Sequence, residues 1–447
     1  MELKRKIYQK LLEWKSESHG RTALLLEGAR RVGKTYICGQ FGKNEYKSMI
    51  LIDFSVAAKE IKDLVENLSE ELDLFFTQLS VYYNTPLYVR DSLVVFDEVQ
   101  LFPLARQRLK ALVADGRYDY IETGSLLSIK QNVKDILIPS EEDRLEMHPL
   151  DFEEFLWAMN DEITVPFLRE CFEKIVPVGD AVHRRTMDGY RQYLLVGGMP
   201  QAVLAYLDQH DFSVADKEKK RILALYRNDI AKYATGYEKR VVDIFDAIPE
   251  QLSKAEKKFK LSSVRKGARQ REYSEAFMWL VDAMIINHCF NSTDPHAGLA
   301  LSSDRATQKL YMADTGLLVT HAFQDNEYLD NELYRAILFD KLHINEGMIF
   351  ENAVAQTLRT SGHRLYFYSR VDSANRSNNV EVDFLIVRKK KVSPIEVKSA
   401  SYKYHSSLDK FKAKFSKNIG ESYIVYTKDV MLREGIIHIP IYMVQFL

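Results

Sequence analysis

The chain has 447 residues, 46% hydrophobic and 28% charged, with a formal net charge of −1. That length calls for two to four domains rather than one core. The balanced charge excludes overall basic or acidic character as a sign of nucleic-acid or membrane binding, so any such argument rests on local clusters. Cys38, Cys171 and Cys289 are scattered without metal-ligand spacing, which fits a reducing compartment with neither a disulfide framework nor a zinc site. Met1–Lys6 has no apolar core behind it, so no signal peptide is expected. No run reaches the roughly 18 apolar residues of a membrane span. The expectation is a cytoplasmic protein with no membrane partner, no repeat and no low-complexity tract.

Residues 3–17 read as an amphipathic helix with Ile7, Leu11, Leu12 and Trp14 inward. Ala23–Leu26 is an apolar run of the kind that forms a buried parallel strand. Gly28-Ala29-Arg30-Arg31-Val32-Gly33-Lys34-Thr35 follows, and Tyr36–Phe41 continues as a helix despite Gly39. Strand, Gly-x-x-x-x-Gly-Lys-Thr and helix make the phosphate-cradling loop of nucleoside triphosphatases. Gly28 and Gly33 let the backbone approach a phosphate without an intervening side chain. Successive N–H groups and the helix N-terminus then face the anion. The expected ATP contacts are Gly28 through Tyr36. Lys34 reaches the β- and γ-phosphates, and the Thr35 hydroxyl ligates Mg²⁺.

Ser48–Phe54 reads as a second strand, and residues 58–83 as helical and partly acidic. Ser92–Gln100 runs from four apolar residues into Asp97-Glu98. This is a buried strand ending in two carboxylates at the edge where open α/β sheets bind ligands. Asp97 is the expected second Mg²⁺ holder, through water or Thr35, and Glu98 the residue that polarises the attacking water. A further strand, Tyr118–Ser125, ends in small polar residues, of which Ser125 is preferred over Thr123 as a γ-phosphate sensor. Arg144 has two readings. It is a surface arginine in a salt bridge, or it reads a γ-phosphate in cis or toward a neighbouring subunit of a homo-oligomer.

Residues 160–325 are mostly helical by pattern, with Ile222, Leu223, Leu225, Tyr226, Ile230 and Tyr233 at helical spacing in 214–234. Lys254, Lys257, Lys258, Lys260, Arg265, Lys266, Arg269 and Arg271 then face only Glu256. Ser274 reads as the N-cap of a helix through Trp279, Leu280 and Met284. Helix, basic turn, helix and a hairpin around 286–312 outline a winged helix-turn-helix, whose basic residues fit phosphate contacts on DNA. The plainer reading is a cationic face docking on acidic stretches such as 66–73.

Glu346–Leu358 reads as a helix presenting Phe350, Val354 and Leu358 on one face. Leu365–Arg370 and Val380–Val387 read as strands. Val392–Lys398 returns alongside the second, and its period of two puts Glu396 and Lys398 on one face. Asp383, Glu396 and Glu351 are candidate ligands for one or two Mg²⁺, and Lys398 is placed to activate water or steady a phosphorane. The competing reading is a binding module that has kept the fold without the chemistry.

Leu26–Thr35, Phe96–Gln100, Thr123-Gly124-Ser125, Pro149–Phe155, Tyr193–Pro200, Lys309–Leu318, Phe350-Glu351-Asn352, Glu381–Phe384 and Ile395–Lys398 together resemble the prokaryotic AAA+ ATPases of the "archaeal ATPase" type. The resemblance covers nearly the whole chain, with one departure: Asp143 stands where the family usually has glycine before the arginine. It implies an α/β multidomain protein. Residues 1–158 would be a P-loop AAA+ parallel sheet, 159–235 a helical lid and linker, 236–325 a winged-helix segment and 326–447 a restriction-endonuclease-like PD-(D/E)xK domain. The expected function is Mg²⁺-dependent ATP hydrolysis coupled to a DNA-binding, nuclease-like half. The alternative is a nucleotide-dependent switch whose nuclease-like domain is inactive.

Overall fold

A computed structural model describes residues 2–68, 71–125, 141–323, 346–372, 374–375, 378–398 and 404–447. The described chain divides into two compact units, Glu2–His148 with Asp282–Met284, and Pro149–Val281 with Ile285–Leu447.

The first unit is a parallel sheet of β1 (Ala23–Glu27), β2 (Ser48–Asp53), β3 (Ser92–Asp97), β4 (Asp119–Gly124) and β5 (Glu142–Glu146), in the order β2-β3-β4-β1-β5. β3 and β4 are buried at every position. The apolar run of β3 follows from helices packing on both faces of such a sheet. Ile50, Ile52, Val94 and Phe96 pack with Phe75, Phe76, Leu79, Leu109 and Leu112 in one core. Burying each of these side chains contributes about 1.5–3 kcal/mol. The segment expected to be helical over 58–83 forms two helices, Lys59–Glu66 and Leu72–Tyr82. Ser69 and Glu70 lie outside the described residues. The register sets Glu27 beside Gly124 and Asp53 beside Asp97, so four strands end level at one edge.

The second unit begins with helix Phe152–Ala158. Asp151 caps it by accepting from the Glu154 N–H at 2.9 Å, and the Glu154 carboxylate accepts from the Asp151 N–H at 3.1 Å. This reciprocal pair explains the Asp-Phe-Glu-Glu run as a helix start. Helices Thr164–Lys174, Asp180–Val196, Pro200–Gln209, Phe212–Tyr233, Glu238–Ser253, Leu261–Val264 and Gln270–Asp282 follow. Ser274 is not an N-cap. The helix starts four residues earlier, and the Ser274 hydroxyl donates back to the Arg271 carbonyl at 3.0 Å, a bond open to serine inside a helix. Met284 lies beyond the helix in the left-handed region, at φ 54°.

An eight-stranded mixed sheet completes this unit. Its strands are β6 (Ile286–Ser292), β7 (Ser303–Met312), β8 (Leu365–Arg370), β9 (Val380–Arg388), β10 (Lys391–Val397), β11 (Tyr423–Tyr426), β12 (Met431–Arg433) and β13 (Ile436–Pro440). Their order is β12-β13-β11-β10-β9-β8-β6-β7. The β6–β7 hairpin is therefore not a detached wing, because β6 also pairs in parallel with β8. The domain boundary expected between 325 and 326 lies outside the described residues. Among the described residues no helix is long and apolar enough to cross a membrane.

Candidate active site

The glycine loop leaves β1 at the level edge of the parallel sheet. Gly33 takes φ 99° and Arg31 φ 72°, so the loop turns through backbone conformations that glycine adopts freely and arginine does not. Helix Lys34–Glu45 starts immediately after. Its first N–H groups have no intrahelical acceptor and can face an anion. Ala29, Val32 and Lys34 are buried, while Arg31, Thr35 and Tyr36 are exposed. The Lys34 ammonium donates to the carbonyls of Gly28 at 2.8 Å and Ala29 at 3.1 Å. Burial lowers its pKa to about 8, against the raising effect of Glu98 and then Asp97. A buried ammonium held by carbonyls alone gains from an anionic partner, which a phosphate supplies.

Two contacts outside the motif brace the loop. The Met147 N–H donates to the Glu27 carbonyl at 2.7 Å, and a Cβ on Gly28 would collide with the Met147 carbonyl. Arg5, also buried, donates to the Val32 carbonyl at 3.0 Å and the His148 carbonyl at 2.6 Å. Sequence reading missed both, because nothing near Arg5 or Met147 forms a recognisable pattern.

Asp97 is buried at the end of β3 and accepts from the Thr35 hydroxyl at 2.8 and 3.0 Å. The Thr123 hydroxyl donates to it as well. Burial raises the Asp97 pKa, and the two hydroxyl bonds oppose that shift. A carboxylate and a hydroxyl converging in this way form the oxygen donor set that Mg²⁺ takes. Glu98 adopts φ 55°, ψ 45°, a left-handed conformation costing about 1–3 kcal/mol for a non-glycine residue. The Gln100 amide donates to its carboxylate. Ser125 is buried one residue beyond β4, but Thr123, the residue passed over in its favour, is the one on Asp97. Arg144 lies mid-strand in β5, half exposed, with its guanidinium 3.0 Å from Glu142. Glu142 also binds Arg106 at 2.6 Å, and Arg106 reaches the fully buried Glu122 at 2.9 Å.

The second group of candidates meets in the other unit with an unexpected member. The Lys309 ammonium of β7 is 3.1 Å from Glu351, 3.0 Å from Glu381 and 3.7 Å from Asp383. Lys257 also pairs with Glu351, and Lys258 lies 3.8 Å from Glu381. The Tyr311 hydroxyl donates to Glu351 at 2.6 Å, and the Val397 N–H donates to Asp383 at 2.9 Å. Burial pushes the Glu351 pKa up, but Lys309 and Lys257 outweigh it and hold it at about 2. Asp383 moves the other way, to about 7, through desolvation and then the Glu351 charge. Lys398 turns onto Glu396 at 2.6 Å. Among the described residues no group of three or more His, Cys, Asp or Glu is arranged to hold a metal ion. Between Glu351, Glu381 and Asp383 a divalent ion does not fit, because the Lys309 ammonium already lies there, while the second oxygen of Glu396 is buried without a hydrogen-bond partner.

The remaining motifs of the resemblance share one buried hydrogen-bond network in this unit. Asp314 accepts from the N–H groups of Gly198 at 2.5 Å and Leu317 at 2.7 Å. Gln356 accepts from the Thr315 N–H at 2.8 Å and donates to the Tyr193 hydroxyl at 2.9 Å. Tyr193 donates to the Leu150 carbonyl at 2.8 Å, and Asn352 bonds both backbone groups of Met312. Gly197, Gly198 and Gly316 are glycines because Asp314, Leu150 and Gly197, respectively, sit where a Cβ would be.

Residues 20–156 match the family model described as "AAA domain". Residues 187–328 and 346–444 match models described as "Domain of unknown function", DUF8612 and DUF4143. No curated protein matches the chain. Solved structures with some likeness include the Aeropyrum pernix Orc1 protein in complex with DNA, at 11% identity, TM-score 0.28, and coverage of 74% of this chain and 94% of that one. A signal transduction ATPase with numerous domains and a tetratricopeptide repeat sensor, from Pyrococcus horikoshii, has 10% identity, TM-score 0.30, and coverage of 80% and 46%. The Thermotoga maritima RuvB Holliday junction branch migration motor has 12% identity, TM-score 0.27, and coverage of 64% and 89%. The match to the AAA domain spans the parallel sheet and its glycine loop, so this N-terminal unit is the ATP-binding ATPase part of the chain.

Proposed function

We propose that the chain hydrolyses Mg·ATP at the carboxyl edge of the parallel sheet and uses the cycle to switch a C-terminal half that holds a partner. The observation that carries this reading is the convergence of Thr35 and Thr123 on Asp97, beside Glu98 and the Lys34 loop. Gly28 through Tyr36 cradle the phosphates, and Lys34 leaves its carbonyl partners for the β- and γ-phosphate oxygens. Thr35 and Asp97 hold the magnesium ion, whose chemistry there is to neutralise charge on those oxygens. Glu98 accepts the proton of the attacking water, and Gln100 fixes its carboxylate. Thr123 or Ser125 senses the γ-phosphate from β4. Arg144 serves a neighbouring subunit of a homo-oligomer, in keeping with its exposure.

The test is ATP turnover and nucleotide binding with Mg²⁺ for the parent, Lys34→Ala and Glu98→Gln. Turnover by the parent, loss of binding in Lys34→Ala, and retained binding without turnover in Glu98→Gln are expected. Normal turnover by Glu98→Gln overturns the assignment of the base.

Duplex DNA is the partner favoured by one observation. Lys257 and Lys258 reach Glu351 and Glu381 of the C-terminal cluster, while Lys254 and Lys260 are held locally by Glu250 and Glu256, so this half of the basic segment is already paired. Arg265, Lys266, Arg269 and Arg271 stay exposed at the start of helix Gln270–Asp282. Phosphate contacts by these four make DNA affinity fall steeply with salt. Replacing Arg265 and Arg269 by Ala is expected to weaken binding and flatten that slope. Unchanged binding assigns the partner to another class.

A further inference from the structure

Three carboxylates, Glu351, Glu381 and Asp383, share the centre of the C-terminal cluster, and three ammonium groups face them, Lys257, Lys258 and Lys309. Formal charge there sums to zero. Lys309 is 1% exposed and touches all three acids, the position a metal ion bridging them would take. Fixed partners already occupy the acids on other sides, with the Tyr311 hydroxyl on Glu351 and the Val397 N–H on Asp383. Magnesium demands near-octahedral oxygen ligands at about 2.0–2.1 Å and gives up water reluctantly. Admitting it would expel the Lys309 ammonium from its acids while that side chain stays buried, and leave two positive charges in excess.

We propose that Lys309 is the resident cation of the Glu351, Glu381 and Asp383 cluster, so that this site takes no divalent metal and cleaves no phosphodiester by metal-assisted hydrolysis. The cluster is a fixed ionic joint. It ties β7 and β9 to helix Glu346–Thr360 and to the segment carrying Lys257 and Lys258. Lys398 is no substitute activator of water, because its ammonium is already given to Glu396. The inference deepens the switch reading by removing cleavage from the C-terminal half. It stands apart from the ATP site, which lies in the other unit and is read by ATP turnover.

The experiment is Mn²⁺ titration by electron paramagnetic resonance on the full chain without nucleotide, for the parent, Asp383→Asn, Lys309→Met and the double variant. Plasmid nicking is followed in parallel. The parent is expected to bind no Mn²⁺ that Asp383→Asn removes and to leave plasmid intact. Lys309→Met is expected to gain a stoichiometric Mn²⁺ that the double variant loses. Parent Mn²⁺ binding or nicking abolished by Asp383→Asn overturns the proposal. A folded Lys309→Met that binds no Mn²⁺ overturns the assignment of the exclusion to Lys309. If Lys309→Met does not fold, the parent and Asp383→Asn comparison decides the question alone. ATP turnover unchanged in Asp383→Asn separates failure here from failure of the ATPase reading.

Discussion

The two units each gather carboxylates at a sheet and treat them in opposite ways. At the edge of the parallel sheet, Asp97 is met by two neutral hydroxyls, Thr35 and Thr123. Its charge is solvated but not cancelled, so an arriving cation still gains from it. In the eight-stranded sheet, Glu351 is met by the ammonium groups of Lys309 and Lys257, and its charge is cancelled from within. Acidic residues at a sheet are therefore not enough to make a metal site. What decides is whether their partners are dipoles or charges, since a buried ion pair already has the compensation a metal would bring.

Several changes sharpen or break that contrast. The largest effect is expected at Lys34, whose ammonium has carbonyls but no paired anion in the loop. Lys34→Ala should weaken ATP binding by about 10²–10⁴-fold, the scale of removing one partner of a buried charged contact. Fluorescent-nucleotide titration checks this, and ordinary affinity would detach Lys34 from the phosphates. Next comes Glu98→Gln, with binding intact and single-turnover hydrolysis slowed by about 10²–10⁴-fold. Arg106→Ala removes from helix Leu104–Asp115 the cation that the buried Glu122 and Glu142 of the sheet share. A loss of about 3–5 kcal/mol in denaturant unfolding is expected. An unchanged midpoint would mean that the sheet does not depend on this pair.

Smaller effects separate dipoles from charges. Thr123→Val removes one hydroxyl bond to Asp97, worth about 1.5–3 kcal/mol when the acceptor is charged. It should slow turnover by about tenfold or more, and more than Ser125→Ala does. The reverse order would restore Ser125 as the sensor. The gentlest change per step is a pH slope of opposite sign in the two units. Burial, partly opposed by Arg106, raises the Glu122 pKa to about 8. The folded state then binds a proton that the unfolded chain releases, so this group's contribution to stability falls as pH rises from about 4.5 to 8, by at most about 1.4 kcal/mol per unit. Glu351, held at about 2, contributes stability that is present above about 4.5 and lost as pH falls toward 2. Thermal unfolding against pH should show the alkaline decline softened in Glu122→Gln and the acid decline softened in Glu351→Gln.

The parallel-sheet unit was legible because its signals are local. Ala23–Leu26, the glycine loop and Lys34–Thr35 are contiguous, and a strand, a turn and a helix follow from them without reference to distant residues. The same holds for Asp97-Glu98 at the end of an apolar run. Alternation could not separate Thr123 from Ser125. The two lie on one face by period two, and only the position of β3 beside β4 decides which hydroxyl reaches Asp97. The bracing of the loop by Arg5 and Met147 was invisible for the same reason, since Arg5 lies 143 residues from His148.

By itself the sequence determined the nucleotide loop, the acidic pair that follows it, the alternation of the C-terminal hairpin and the presence of Glu351, Asp383, Glu396 and Lys398. Each depends on neighbours within a few positions, where backbone geometry fixes what side chains can share. Tertiary structure alone decided which side chains meet those acids. Lys309 comes from 42 residues before Glu351, and Lys257 from 94 residues before it. No spacing rule records which distant lysine will be buried among carboxylates. That is settled by the pairing of β6 with both β7 and β8, which builds the hairpin into the large sheet and carries Lys309 into the cluster.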